Sequence, residues 1–250
     1  MMALVYGYIF IIGAVIGSFL NVVIYRLPNE QSVIKPRSYC PFCETTLTWK
    51  QLIPVLSYIW QRGKCASCQA QISIRYPLIE VFTGIIFIII FMITGFSWLT
   101  IIYWVLAACF IAIFIIDIEH MIIPDEINLF IFIIGIGTSL LGLTIPIIQA
   151  LIGSLLGGGI LWFLAVASRG GMGGGDIKFA FAIGLFTGWQ QMMLLLFIAS
   201  LIGCVYGLYQ IVRYGYQKGK PIPFGPFLVI AAMLVLLWGN TFISYYFSLF

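Results

Sequence analysis

Long apolar runs, separated by short polar breaks, follow one another along most of this chain. A helix crosses a bilayer with about 20 mostly apolar residues, and most of the runs approach that length. The run at 177–189 is shorter, which indicates a helix whose ends are shielded inside a protein-lined cavity. The pattern predicts an all-α polytopic membrane protein with about eight transmembrane helices, at 4–25, 78–96, 98–116, 126–144, 147–167, 177–189, 191–212 and 224–248.

The composition also favours a membrane protein. Of the 250 residues, 62% are hydrophobic and 8% are charged, whereas a soluble domain has roughly 45–50% apolar and about 25% charged residues. A soluble protein of this size could not cover such an apolar interior, but a bilayer can. The first apolar run has no basic region before it and exceeds the core of a cleavable signal peptide. We therefore expect it to remain as the first span.

The twelve Lys and Arg residues predict the orientation of the spans. Seven of them lie within 26–75, between the first two spans. With eight spans, all twelve fall on one side of the membrane, and basic loops mark the cytoplasmic side. Both termini are then outside, the outer loops carry no charge, and any charge-dependent chemistry faces the cytoplasm. The net charge of +4 reflects this topology, so no nucleic-acid partner is expected.

Two C-x-x-C pairs lie between the first two spans and are separated by about twenty residues, a spacing typical of zinc sites. Four thiolates complete the tetrahedral shell of a structural zinc, whereas a catalytic zinc keeps an open position. We therefore predict a first helix at 1–25, a cytoplasmic zinc-binding loop domain at 26–77 and a transmembrane domain at 78–250. The predicted structural zinc ligands are Cys40, Cys43, Cys65 and Cys68.

The same four cysteines have two other interpretations, as redox pairs or as disulfides. A cytoplasmic position argues against stable disulfides, and the lack of a βαβ pattern argues against a thioredoxin-like motif. Cys109 and Cys204 lie alone within apolar spans, where a cysteine behaves as a small hydrophobic residue. We interpret both as packing residues.

Two aspartates, Asp117 and Asp176, lie at inner ends of different predicted helices. Asp117 follows an unbroken apolar run and Asp176 follows three glycines. An ionisable group at membrane depth is costly and indicates a functional site facing a wet cavity. If the two carboxyl groups meet, one acts as general base on a water while the protonated one polarises a scissile carbonyl. This is aspartic protease chemistry.

Helix capping is the structural alternative for these acids. Asp176 and Asp125 are both placed as N-caps, and for Asp125 we favour the cap. Asp117 fits this alternative poorly, because a negative charge at a helix C-terminus opposes the helix dipole. Glu119, His120 and Glu126 are interpreted as solvated residues at the membrane border, and the single histidine has no second histidine for a metal site.

Over nearly its whole length the chain resembles the type IV prepilin peptidases, with most similarity to the competence-pilin peptidases of Gram-positive bacteria. The residues that carry the resemblance lie, in order, at 17–28 (GSFLNVVIYRLP), the double C-x-x-C, 75–80 (RYPLIE), 117–125 (DIEHMIIPD), 171–178 (GMGGGDIK) and 223–226 (PFGP). Each motif alone is weak evidence, whereas all of them together in this order are highly specific.

The resemblance implies a G-x-G-D type intramembrane aspartic protease with Asp117 and Asp176 as the catalytic pair. It implies prepilin and pseudopilin substrates, cut after a glycine that ends a short basic leader, at the cytoplasmic face of a bacterial plasma membrane. Many members of the family also methylate the new N-terminal amine with S-adenosylmethionine, an activity associated with the cysteine-containing loop. That loop contains no G-x-G-x-x-G after a strand. Whether the protein forms a homo-oligomer is left open.

Three other functions compete with this interpretation. Intramembrane acids and glycine-broken helices also mark transporters and ion channels, although the two halves show no repeat and transport does not explain the cysteines. A thiol oxidoreductase would need a C-x-x-C thiol with a lowered pKa. A methyltransferase without protease activity would not need Asp117.

Overall fold

A computed structural model describes residues 2–169, 171–215 and 222–248, and these residues are mostly helical. Short 3-10 turns lie within the loop between the first two long helices, at Leu27–Asn29 and Trp49–Leu52. The helices are α1 (Met2–Arg26), α2 (Leu56–Trp60), α3 (Arg75–Thr94), α4 (Trp98–His120), α5 (Asp125–Leu140), α6 (Ile147–Ala167), α7 (Gly174–Tyr214) and α8 (Gly225–Phe247).

The chain divides into two units, Met1–Ala112 and Ile113–Phe250, with the division inside α4. In the first unit α1 and α3 pack closely, because a Cβ at Gly13 would lie 2.7 Å from the Cα of Gly84. Glycine pairs of this kind let transmembrane helices approach backbone to backbone. Trp104 stacks on Phe87 with ring centroids 5.1 Å apart and donates a hydrogen bond to its carbonyl.

The loop of the first unit is attached to α3 through a buried carboxylate. Glu80 is 7% exposed, and its Oε2 accepts a hydrogen bond of 2.7 Å from the amide of Val55. Val55 has φ of 61° and precedes the short helix α2. A positive φ is costly for a β-branched residue, so this contact fixes a strained turn of the loop.

In the second unit, α6 and α7 pack through glycines. A Cβ at Gly153 would lie 2.5 Å from the carbonyl oxygen of Gly184 and 2.6 Å from the Cα of Gly188. Ser154 donates a hydrogen bond of 2.7 Å to the carbonyl of Phe181. A hydroxyl bonded to a neighbouring backbone satisfies a polar group that hydrocarbon would leave unpaired.

The helix α7 changes direction at Gly188, whose φ of 66° and ψ of −176° are not helical. Glycine adopts this conformation without the steric cost of a Cβ. Before Gly188, successive residues of α7 contact progressively earlier residues of α6. After Gly188 they contact progressively later residues of α6, so the two halves of α7 run in opposite directions. The contacting pairs, in order along α7, are Phe181 with Gly158, Gly188 with Gly153 and Met192 with Gly157.

Among the described residues, six helices are long and apolar enough to cross a membrane. The protein is therefore a multi-pass membrane protein, and the count differs from the predicted eight for two reasons. The predicted spans 177–189 and 191–212 are both parts of α7, where the break occupies a single residue. The helix α5 has 16 residues and is about 24 Å long at 1.5 Å per residue, which is less than the roughly 30 Å of a hydrocarbon core.

The tight α6–α7 contact leads to a stability prediction. Gly153→Val is expected to lower the melting temperature in detergent, because the new side chain meets backbone atoms that cannot move away. Overpacking of this kind costs about 1–3 kcal/mol. Gly159→Val, in the same helix, is the control, because a Cβ at Gly159 meets nothing within 4 Å. If the two variants have equal melting temperatures, the close contact of α6 with α7 at Gly153 is contradicted.

Candidate active site

Asp117 lies in the last turn of α4 and is 5% exposed. Its Oδ2 accepts a hydrogen bond of 3.0 Å from the amide of Gly225, the first residue of α8. A Cβ at Gly225 would lie 2.6 Å from the same oxygen, so a larger residue there would displace the carboxyl group. The positive end of the α8 dipole stabilises this carboxylate, which offsets the unfavourable end of its own helix.

Asp176 is the third residue of α7 and is 8% exposed. Its carboxyl group accepts a hydrogen bond from the amide of Gly173, the residue that caps the helix. This is the reciprocal half of a capping box. The other oxygen, Oδ1, is buried and has no hydrogen-bond partner among the described residues.

Ile123 packs against the first residues of both α7 and α8, the two helices whose N-termini lie next to the aspartates. A Cβ at Gly175 would lie 2.9 Å from the Cβ of Ile123, and one at Gly225 would lie 3.1 Å from its Cδ1. The segment between α4 and α5 therefore brings the N-termini of α7 and α8 together. The carboxyl groups of Asp117 and Asp176 are close enough to interact electrostatically.

This arrangement can perform acid–base chemistry on a peptide bond. Two neighbouring carboxyl groups that repel each other share one proton, which makes one a base and the other an acid. One oxygen of each group is fixed by a backbone amide. The unpartnered oxygen of Asp176 is an acceptor or, when protonated, a donor for a substrate or a water.

The four predicted zinc ligands come together in the loop of the first unit. Their Sγ atoms all lie within 4.8 Å of one another, and those of Cys40 and Cys68 are 3.8 Å apart. A tetrahedron with zinc–sulfur bonds of about 2.3 Å has edges of about 3.8 Å. The residues therefore fit a structural zinc, which would be bound by all four thiolates.

Hydrogen bonds within the loop also favour the thiolate form of two of the four cysteines. The side chain and the backbone of Thr45 hydrogen-bond the Cys43 thiol and lower its pKa to about 6. Backbone hydrogen bonds from Cys68 and from the residue before it lower the pKa of Cys65. The backbone of Ala70 lowers the pKa of Cys68, but burial and the neighbouring thiols outweigh it and raise that pKa to about 11. Because metals bind the thiolate, this cluster is partly prepared for a cation.

No S-adenosylmethionine site can be assigned from the described residues. Their extended pairing is limited to two isolated bridges, Tyr39 with Thr46 and Lys64 with Gln71. A nucleotide-type site of the strand, glycine-rich loop and helix kind is not formed there.

Neither aspartate is the N-cap residue of its helix, so the predicted cap at Asp125 was wrong and the capping alternative for Asp176 does not hold. Asp125 is the first residue of α5 and does not cap it, because Pro124 occupies the cap position. Its carboxylate instead pairs with the ammonium of Lys178 at 2.6 Å, across α5 and α7. Asp176 lies three residues inside α7 and the cap is Gly173.

Sequence reasoning missed Gly225 and Asn128. Gly225 belongs to the PFGP motif, which contributed to the family resemblance but was assigned no function. The side-chain amide of Asn128 donates a hydrogen bond of 3.3 Å to the carbonyl of Gly175, next to Asp176. The only sequence signal for it was an asparagine near the start of the apolar run at 126–144. Glu119 and Glu126 are exposed, as predicted.

Comparisons with known proteins agree with these features. The model of the "Bacterial Peptidase A24 N-terminal domain" matches residues 11–94, and that of the "Type IV leader peptidase family" matches residues 102–208. No solved structure matches the chain.

Several curated proteins named "Prepilin leader peptidase/N-methyltransferase" are similar over nearly the whole chain. The protein of Aeromonas salmonicida (strain A449) is 34% identical over 98% of this chain and 94% of its own length. That of Bacillus subtilis (strain 168) is 35% identical, with 95% and 96% covered. That of Neisseria gonorrhoeae is 35% identical, with 90% and 87% covered. With buried paired aspartates, a four-cysteine loop and relatives this similar, the chain belongs to the type IV leader peptidase family.

Proposed function

We propose that this protein is a membrane aspartic endopeptidase that removes the leader peptide of prepilins and pseudopilins, with Asp117 and Asp176 as its catalytic pair. The observation that carries the proposal is that two buried carboxyl groups lie at the N-termini of α7 and α8, close enough to interact electrostatically. The name of the relatives supports the prepilin substrate.

Asp117 is the general base in this proposal, because the amide of Gly225 and the α8 dipole favour its charged form. It takes a proton from a water, whose oxygen forms a bond to the scissile carbonyl carbon. Asp176 gives its proton to the carbonyl oxygen. The carbon–nitrogen bond of the tetrahedral intermediate then breaks. The leaving amine takes the proton from Asp117, and a hydroxyl of the intermediate returns a proton to Asp176.

The relatives' name also supports a second activity, methylation of the new N-terminal amine. S-adenosylmethionine would supply the methyl group. We place this activity on the N-terminal part of the chain, where the zinc site orders the loop. Mass spectrometry of a mature pilin processed by this protein would show the added methyl group, and an unmethylated N-terminus would remove this part of the proposal.

We further propose a division into a first helix at 1–25, a zinc-binding loop domain at 26–77 and a transmembrane peptidase domain at 78–250. In this arrangement α5 and both halves of α7 are separate spans, giving eight. Both termini lie outside and the catalytic pair faces the cytoplasm of a bacterial cell. The charge distribution supports it, because all twelve basic residues then lie on one side.

Cleavage of a co-expressed prepilin, followed by its shift on a gel, tests the proposed function. The protein is expected to convert the precursor to the shorter form in membranes of a host without its own prepilin peptidase. If the precursor stays uncut while the protein accumulates normally, the protease function fails and the transporter interpretation returns.

A glycine variant tests the contact that positions Asp117. Gly225→Ala is expected to lower kcat strongly with little change in KM, because the new Cβ would displace the Asp117 carboxyl group. A displacement of about 1 Å at a reacting group can cost about 10²-fold. Gly137→Ala, where a Cβ meets nothing within 4 Å, is the control. Cleavage at the wild-type rate by Gly225→Ala would show that the contact does not position the base.

A further inference from the structure

An open groove of about 470 Å³ lies between α5 and α7. Its mouth is formed by the first turn of α5 and by Lys178 of α7. This volume is within the range of about 300–1,000 Å³ that ligand sites occupy. The groove uses none of the atoms assigned to the catalytic step.

The lining of the groove changes from charged to apolar along α5. Asp125 and Glu126 lie at its mouth, where Asp125 pairs with Lys178. Two carboxylates and one ammonium leave the mouth with a net charge of −1. Further along, the lining consists of apolar side chains. These are Leu129, Phe132 and Phe181. Phe132 lies about 10 Å beyond Asp125, at 1.5 Å per residue.

Asn128 lies between the charged and the apolar parts of this lining. It is 4% exposed, and its Nδ2 hydrogen-bonds the carbonyl of Gly175. Its Oδ1 is buried without a hydrogen-bond partner among the described residues. A buried unpaired acceptor costs about 1–3 kcal/mol, so a rotation of the side chain that brings this oxygen to a donor in the groove is favourable.

We propose that this groove binds the substrate at the junction between its polar leader and its hydrophobic helix, and that Asn128 Oδ1 accepts a backbone N–H of that segment. The proposal rests on the proposed function and specifies where its substrate lies. A polypeptide that changes from cationic and polar to apolar matches the lining in order. Because Asn128 also contacts Gly175, the middle of the groove lies near Asp176, the next residue of α7.

A lipid acyl chain is the competing occupant of the groove. It would match Leu129, Phe132 and Phe181 but would bring no donor for the Asn128 oxygen. The charged mouth gives a lipid acyl chain no reason to bind in this groove and not on another apolar surface of α5. These two features favour a peptide.

Site-specific photocrosslinking distinguishes the two occupants. The photoreactive residue p-benzoylphenylalanine is placed at Leu129, or at Phe130 as the control, in the Asp176→Asn background with a co-expressed prepilin. Both positions are exposed on α5, but Phe130 does not line the groove. A prepilin adduct at Leu129 and none at Phe130 is the expected result. Adducts with lipid only, equal adducts at both positions, or no adduct would overturn the proposal.

Kinetics provide a second readout. Leu129→Trp is expected to raise KM for prepilin with kcat unchanged, by at least about tenfold, since small steric changes in an apolar pocket are worth about 10–200-fold. Phe130→Trp is expected to leave KM unchanged. Asn128→Leu should also raise KM, and its lost contact with Gly175 should lower kcat. If wild type cuts the prepilin while Leu129→Trp keeps its KM, the groove proposal fails and the proposed function stands; if wild type does not cut, the function itself fails.

Discussion

Replacing either Asp117 or Asp176 by asparagine is expected to leave prepilins uncut. Asparagine keeps the size of the side chain but can neither take a proton from water nor donate one as an acid. A positioned general acid or base contributes about 10²–10⁴-fold to a rate, and each variant removes one of the two groups. The loss should therefore exceed 10²-fold in the single variants, with no greater loss in the double variant, because residues that act as a unit are not additive.

The measurement is the gel shift of a co-expressed prepilin, with the amount of each variant in the membrane determined in parallel. Glu119→Gln is the matched control, because it removes an exposed carboxylate two residues from Asp117 and is expected to cut at the wild-type rate. Asn variants that accumulate normally and still cut would contradict the assignment of the pair. Losses of folded protein alone would be seen as reduced abundance.

Replacing Cys65 by serine is expected to remove the zinc and unfold the loop of the first unit. Cys65 is 4% exposed, and its Sγ belongs to the four-sulfur cluster. Structural zinc contributes about 10–16 kcal/mol to the folding of small zinc-finger peptides, and three thiolates cannot close the tetrahedral shell. Metal analysis of the purified protein should change from about one zinc per chain to nearly none.

Limited proteolysis of the loop reports the structural consequence independently of activity. Wild type treated with a chelator should become sensitive within 26–77, as the Cys65→Ser variant does. Cys204→Ser is the control, since Cys204 is exposed and lies outside the cluster; it should retain both zinc and protease resistance. Full zinc content in Cys65→Ser would show that the four thiols do not form the metal site. A redox role would instead leave the loop folded and abolish thiol turnover.

The length of the apolar runs alone predicted most of the membrane helices. The bilayer requires long apolar runs, so α1, α3, α4, α6 and α8 could be recognised from their residues. The predicted spans 177–189 and 191–212 correspond to the two halves of α7, which form one continuous element because the turn at Gly188 uses a single residue with a positive φ. The length of α5 was overestimated, because the apolar run continues beyond the last helical residue, Leu140.

Local patterns also predicted the members of the two sites, for different reasons. Metal ligands occur at fixed short spacings, and two C-x-x-C pairs therefore identified the cluster whose sulfur atoms lie together. The aspartates were identified by the cost of placing a charge at membrane depth. Capping of α5 by Asp125 was predicted from local preference and was wrong, because Pro124 occupies the cap position. The carboxylate instead pairs with Lys178, 53 residues away.

By itself, the sequence determined the class and the family of the protein, and it predicted which side chains form the two candidate sites, because burial of apolar area and ligand spacing act over a few residues. The tertiary structure decided what each aspartate contacts. Gly225 lies 108 residues from Asp117 along the chain, and Asn128 lies 47 from Gly175. Such contacts depend on which helix ends meet, and helix packing is set by the complementary shapes of surfaces that are far apart in the chain.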